Sequence, residues 1–145
     1  MKKLIVPIIV SIFIGALLFF AYDNDEQNLG DNYFYLPKYE AIDMGYPGGA
    51  IIYKSTQKYH FDQVKIPGNV TKTNANEDFI IAERNNDISY QGHIKSVALN
   101  KQILTSYYII IKKTNCILGP FTQTEYLSKR KTLNIPNQLT LKEIQ

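Results

Sequence analysis

"IIIKKTNCILGPFTQTEYLSKRK" (Ile109–Lys131) decides how the second half of this chain folds. Ile109 to Ile111 close a strand that opens at Tyr107. Lys112 to Asn115 is a short connection, and Asn115 suits a left-handed turn position. Cys116 to Leu118 begins the returning strand, so the segment reads as a hairpin. Gly119-Pro120 is expected to end it, because proline cannot donate to the ladder. Thr122 and Glu125 then have the spacing of a capping box, and Phe121 and Tyr126 that of a hydrophobic staple. The spacing predicts a helix from Gln123 to about Thr132. Glu125 and Lys129 stand in the favoured i,i+4 order. Lys129, Arg130 and Lys131 fall in the last turn, where they complement the helix dipole. Tyr126, the stem of Arg130 and Leu133 share one buried stripe.

Upstream, the pattern is strand-like. Tyr33–Leu36 is an aromatic strand stopped by Pro37, and Ala41–Met44 reads as a second. Gly45-Tyr-Pro-Gly-Gly49 is a turn cluster, followed by a strand over Ala50–Lys54 and a turn over Ser55–Lys58. Tyr59–Ile66 alternates and closes at Pro67-Gly68-Asn69. Val70–Thr73 is short and β-branched. Asp78–Arg84 and Tyr107–Ile111 carry continuous apolar runs, which suit strands covered on both faces. Residues 85–104 read as a long loop or loose hairpin between them. Leu139 and Leu141 tack the tail on as an edge strand. The expected fold is mainly β (α+β): one antiparallel sheet of about six or seven strands with one C-terminal helix.

The N-terminus is a different material. In MKKLIVPIIVSIFIGALLFFAYDND, Lys2 and Lys3 precede an uncharged run from Leu4 to Tyr22. As a helix it would span roughly 28 Å, close to the ~30 Å hydrocarbon core of a bilayer. Pro7 falls in the first turns, where its missing N–H costs little. Secretory signal cores are shorter and end in a small-x-small site, and Phe19-Phe-Ala21 fits that poorly. The reading is therefore a transmembrane helix, with secretion after signal cleavage as the alternative. Lysines before the run and Asp23, Asp25 and Glu26 after it keep the N-terminus cytoplasmic. The organisation is then an anchor over 1–22, a polar linker over 23–32 and a β-rich extracytoplasmic domain over 33–145.

Charge excludes one class of partner. Lys2 and Lys3 are two of the 16 basic residues, and the remaining 14 face 13 acidic ones. Beyond the anchor the net is close to zero, which gives no electrostatic footprint for nucleic acid. The one cysteine permits no intrachain disulfide.

No constellation in the sequence carries chemistry. Cys116 has no base beside it, so a small strand residue outweighs a nucleophile. His60 and His93 lack metal-ligand spacing. Gly45–Gly49 lacks the lysine and following helix of a phosphate loop. Asn69-Val-Thr71 matches a glycosylation sequon. Lys129-Arg-Lys131 could meet anionic headgroups, but the helix dipole already accounts for it. Tyr33, Tyr35, Tyr39, Tyr46, Tyr53 and Tyr59 crowd the first half of the domain, as strand residues or as a binding surface. Asp62, Glu77, Asp78 and Glu83 are scattered and could form a hydrolytic pair only through the fold. No catalytic, cofactor-binding or metal residue is assigned.

Asp78-Phe-Ile-Ile-Ala-Glu83, Tyr107 to Asn115, Gly119-Pro-Phe-Thr122 and Tyr126-Leu-x-Lys-Arg-Lys131 with Ile135-Pro136 resemble a family of small bacterial proteins of unknown function. That resemblance implies an export or lipoprotein signal and one β-rich domain. It carries no activity. This chain departs from lipoprotein-type members by lacking a lipidated cysteine. The Gly-Pro-aromatic turn into a helix is also similar to GYF-like domains, which bind proline-rich peptides, though their characteristic tryptophans are absent here. The expectation is a non-enzymatic, single-pass anchored binding or interaction module, whose partners are the membrane and an envelope protein or polymer. The alternatives are an envelope hydrolase with fold-assembled carboxylates, and an immunity or exclusion protein.

Overall fold

The computed structural model describes residues 26–57, 60–86 and 105–144. Among them run β1 (Gln27–Gly30), β2 (Tyr33–Leu36), α1 (Lys38–Asp43), β3 (Ile51–Lys54), β4 (Gln63–Ile66), β5 (Val70–Ala75), β6 (Phe79–Asn85), β7 (Thr105–Ile111), β8 (Cys116–Phe121), α2 (Gln123–Thr132) and β9 (Lys142–Glu143). They form two antiparallel sheets, β1-β2-β3-β4 and β8-β7-β6-β5-β9.

Two sheets replace the single one expected from the sequence, and the reason lies in the side chains. Several strands are apolar on both faces, and each face needs a cover. In β2, Tyr33 and Tyr35 point one way and Phe34 and Leu36 the other. Tyr33, Tyr35, Ile52 and Ile66 of the first sheet meet Ile80, Ala82, Tyr108 and Ile110 of the second in an interior layer. The first sheet's other face, with Leu36, Ile51 and Tyr53, is covered at Ala41 of α1. The second sheet's other face, with Ile81 and Ile109, is covered by Tyr126 of α2 and by Ile135 and Leu139 of the tail. The order is helix, sheet, sheet, helix. A shift of register between Ile52 and Tyr53 lets Ile66 face inward while Val64 faces α1, as a bulge does by turning one residue out of phase.

Local chemistry explains the other departures. Ala41–Met44 lies in and after α1, not in a strand. Pro37 precedes the helix in extended geometry and its carbonyl accepts from the Ala41 N–H at 2.8 Å. Proline is tolerated at a helix start, and the residues after it are mostly adequate helix formers. Gln27–Gly30, inside the expected linker, is strand β1. The strand in Tyr59–Ile66 begins only at Gln63. Gly119-Pro120 does not end β8, which runs on to Phe121. β8 is an edge strand, where a missing N–H can face solvent. Gly119 is required there: at φ +125 a Cβ would sit 2.7 Å from the Tyr107 carbonyl.

The hairpin and the long helix follow the sequence closely. Asn115 holds φ 54 in the left-handed region. Thr122 Oγ1 accepts from the Glu125 N–H at 3.3 Å, and the Thr122 N–H donates to Glu125 Oε2 at 2.8 Å. The expected membrane anchor and the 87–104 part of the expected loop lie outside the described residues. Among the described residues no helix is long and apolar enough to cross a membrane.

Candidate functional site

Tyr108 and Ile110 face the space between the sheets, and Lys112 continues the same alternation at the end of β7. Its side chain is therefore sent inward and is 6% exposed. A buried ammonium needs acceptors. Lys112 Nζ donates to the Leu29 carbonyl at 2.6 Å and to the Asn76 carbonyl at 2.5 Å. Leu29 belongs to the first sheet and Asn76 follows β5 of the second, so one side chain ties the two sheets together.

The acceptors are themselves held in place. Asn76 Oδ1 accepts from the N–H groups of Asp78 and Phe79 at 3.0 and 2.8 Å, which fixes the β5–β6 turn. The Lys112 N–H donates to the Asp78 carbonyl at 2.9 Å. Gly30 has φ +85, and a Cβ there would lie 2.8 Å from Lys112 Nζ. Nearby, the Tyr33 hydroxyl donates to Asn115 Oδ1 at 2.7 Å, and Lys54 Nζ stands 4.6 Å from the centre of the Tyr33 ring.

Around Lys112 lies a cleft of about 690 Å³, lined by β1 and Asp31 on one side and by Asn74 to Glu77 on the other. Burial lowers the Lys112 pKa, and Asp31, Asp78 and Glu77 oppose that by favouring the ammonium. The floor is thus one enclosed cation and the rim is acidic. Gln27, Asn28, Asn74 and Asn76 add amides. β1 is an edge strand, so the cleft also borders backbone without a neighbouring strand on that side.

A second cleft of about 400 Å³ lies between the outer face of the larger sheet and α2, lined in part by Lys72, Glu83, Tyr107, Gln123, Tyr126 and Glu143. Lys72 pairs in register with Glu83 on one side and Glu143 on the other. Lys72 Nζ is 3.3 Å from Glu83 Oε1, which also accepts from Thr71 Oγ1 at 3.1 Å.

The residues singled out in the sequence are dispersed. Cys116 opens β8, and its Sγ lies 4.0 Å from the neighbouring Ile117 carbonyl. His60 is exposed before β4, and His93 and Tyr59 lie outside the described residues. No group of three His, Cys, Asp or Glu that could hold a metal occurs among the described residues. The Gly45–Gly49 turn packs on the next turn, with the Gly68 Cα 3.2 Å from where a Gly48 Cβ would be. Asn69 of the sequon donates from its side-chain amide to the Asn85 carbonyl at 3.0 Å. Tyr33, Tyr35 and Tyr53 are buried, Tyr46 packs on Phe61, and Tyr39 is exposed. Asp62 accepts from Ser55 Oγ at 2.8 Å. Arg130 does more than complement a dipole. It donates to the Tyr126 hydroxyl at 3.1 Å and to the Pro136 and Leu139 carbonyls at 2.9 and 2.7 Å. Lys112 itself was readable only as part of a turn. Its place in the alternation of β7 was the signal that it points inward.

The family described as "Protein of unknown function (DUF3997)" matches residues 32–145. The chain belongs to this family. The DUF3997 match takes in both sheets apart from β1, and both helices. It also takes in Lys112, Asn76 and Glu77, while Leu29, Gly30 and Asp31 precede it. Neither the curated proteins nor the solved structures compared with the chain gave a match.

Proposed function

We propose that this DUF3997 protein is a membrane-tethered binding module that takes an extended, basic peptide segment of an envelope protein in the cleft above Lys112. The observation that carries the reading is the composition of that cleft: an edge strand on one wall, amides along both, and Asp31 and Glu77 on the rim. Edge strands supply backbone hydrogen bonds to extended peptides, and the rim favours a partner with positive side chains. Lys112 braces the two walls from below. The apolar run Leu4–Tyr22 serves as the tether, with the domain outside the cytoplasmic membrane.

The test uses the full-length protein in lipid nanodiscs, titrated calorimetrically with short extended peptides. Basic peptides should bind, acidic ones should not, and Asp31→Asn with Glu77→Gln should weaken the interaction. Equal heats from basic and acidic peptides, or none from either, would count against the cleft. Protease accessibility on intact spheroplasts tests the topology separately.

Of the carboxylates open to the hydrolase alternative, Asp62 accepts from Ser55 Oγ and Glu77 and Asp78 stand near the Lys112 ammonium, while Glu83 has Glu143 across β5. Lys72 stands between them in register, with its ammonium on Glu83, where a substrate bond and a water would need room. That arrangement favours the binding module. An immunity or exclusion protein would be one form of it.

A further inference from the structure

The pairing register distinguishes the two ends of the sandwich. At one end lie Gln27, which pairs with Tyr35, and Leu36, which pairs with Ile51. The Val70 N–H joins the Ala50 carbonyl there at 3.1 Å, so both sheets share this end. At the other end lie the Asp31-Asn32 turn, the Asn76–Asp78 turn and the Lys112–Asn115 connection. The chain enters the domain at the first end, while the Lys112 ammonium sits at the second.

The entry end carries an apolar surface. α1 starts directly after Leu36 and Pro37. Tyr39 and Ile42 are three residues apart and so lie on one face of it. They are 81% and 38% exposed, and Met44, just past the helix, is 51% exposed. Ala41 is buried against the sheet. Tyr39 thus gives nothing to the core, although it is a large aromatic group.

We propose that Tyr39, Ile42 and Met44 form a membrane-contact face that lies at the headgroup level beside the tether. This rests on the proposal that Leu4–Tyr22 crosses the membrane. Only Asp23, Asn24 and Asp25 separate Tyr22 from Glu26, where the described domain begins. Four steps along the chain reach at most about 14 Å. Gln27 pairs with Tyr35, and α1 begins three residues beyond it, so the exposed helix face is brought close to the same lipid surface. Tyrosine belongs at such a boundary, with its ring among acyl chains and its hydroxyl in water. Lys38, Glu40 and Asp43 leave α1 without excess positive charge, so apolar contact drives the association and anionic lipid adds nothing. The Lys112 ammonium, with Asp31 and Glu77, is then held at the end of the cleft away from the bilayer.

The test uses full-length protein in phosphatidylcholine vesicles, with Cys116→Ser as background. Tyr39→Cys and Ile42→Cys place an environment-sensitive fluorophore on α1, and Lys113→Cys places one at the far end. These four positions are half-buried or exposed, so the variants should fold. A nitroxide on the lipid headgroup should quench the α1 labels several-fold more than the Lys113 label, equally with and without anionic lipid. Equal quenching at both ends, in protein that still floats with the vesicles, overturns the contact face and leaves the tether standing. Protein that does not float overturns the tether and the face with it. Shielding of the α1 labels that ignores the lipid quencher and follows protein density means that a second copy covers the face, and also overturns the proposal.

Discussion

The Tyr33 hydroxyl donates to Asn115 Oδ1 at 2.7 Å, which fastens the first sheet to the hairpin turn of the second. Asn115 holds φ 54 in that turn, so its side chain is presented by a fixed backbone. Burial raises the Tyr33 pKa, with the Asp31 charge adding to it. Tyr33→Phe keeps the ring and removes the bond. Asn115 is exposed, so water can replace the lost donor, and the cost should be about 1 kcal/mol in urea unfolding. A much larger loss would mean that the hydroxyl orders the turn itself.

Lys112→Met removes a tie of a different kind. The Leu29 and Asn76 carbonyls would lose their charged donor, worth roughly 1.5–3 kcal/mol for each such bond. Some of that returns because no ammonium need be desolvated. The net loss should be about 2–3 kcal/mol in unfolding, with faster amide exchange in β1 and the β5–β6 turn. The pH dependence is specific. The folded-state pKa of Lys112 is lowered, chiefly by burial, so the unfolded chain binds the extra proton between that value and about 10.4. Stability contributed through this group should therefore rise with pH across that window. The rise should disappear in Lys112→Met.

Lys112 also marks where the sequence stops being legible. The hairpin, its left-handed asparagine and the capped helix are encoded by neighbours within a few residues, and the structure repeats them with little change. The number of sheets is not local. Phe34 and Leu36 look like any apolar strand residues until α1 and the second sheet show which face each must cover. The β8 strand passes through Pro120 because it is an edge, a fact about its neighbours and not about Gly119-Pro120. The cleft unites Leu29, Asn76 and Lys112 from distant parts of the chain. Only the inward phase of Lys112 after Tyr108 and Ile110 was written nearby.

Tyr35 should report on the interior layer under alkaline conditions. It is 5% exposed, and burial pushes its pKa up to about 12. The unfolded chain ionises near 10, so between these values the folded state keeps a proton that the unfolded state has lost. Stability through Tyr35 is full below 10 and falls as pH rises above it. Phenolate absorbance of the folded protein should lack this tyrosine until the chain opens, and Tyr35→Phe should remove that alkaline loss.

The helix cap predicts the opposite end of the pH scale. The backbone and side-chain hydrogen bonds from Thr122 lower the Glu125 pKa. Its contribution is present above the ordinary carboxylate range and is lost as pH falls through the lowered value. Thr122→Ala should cost about 1 kcal/mol at neutral pH. It should also flatten the acid limb of the unfolding profile, as should Glu125→Gln.

Arg130 should control the last part of the chain. Its three hydrogen bonds run from α2 to Tyr126 and to the carbonyls of Pro136 and Leu139, which seat Ile135 and Leu139 against Ile81 and Ile109. β9 then reaches β5 through only Lys142 and Glu143. Two residues of ladder are too few to hold a strand alone, so the tail depends on the arginine together with the Asn74 amide, which donates to the Thr140 carbonyl at 2.7 Å, and Ile144 against the interior layer. Arg130→Ala should cost about 2–3 kcal/mol, the scale of losing charged bonds to backbone carbonyls. The loss should be local first, because Ile144 is the one residue of 135–144 that packs on the interior layer between the sheets. Amide exchange should accelerate over residues 135–144 while β6 and β7 keep their protection. Arg130→Lys should recover little, since one ammonium cannot span Pro136, Leu139 and the tyrosine together. Uniform acceleration across both sheets would instead make the tail part of the main cooperative unit.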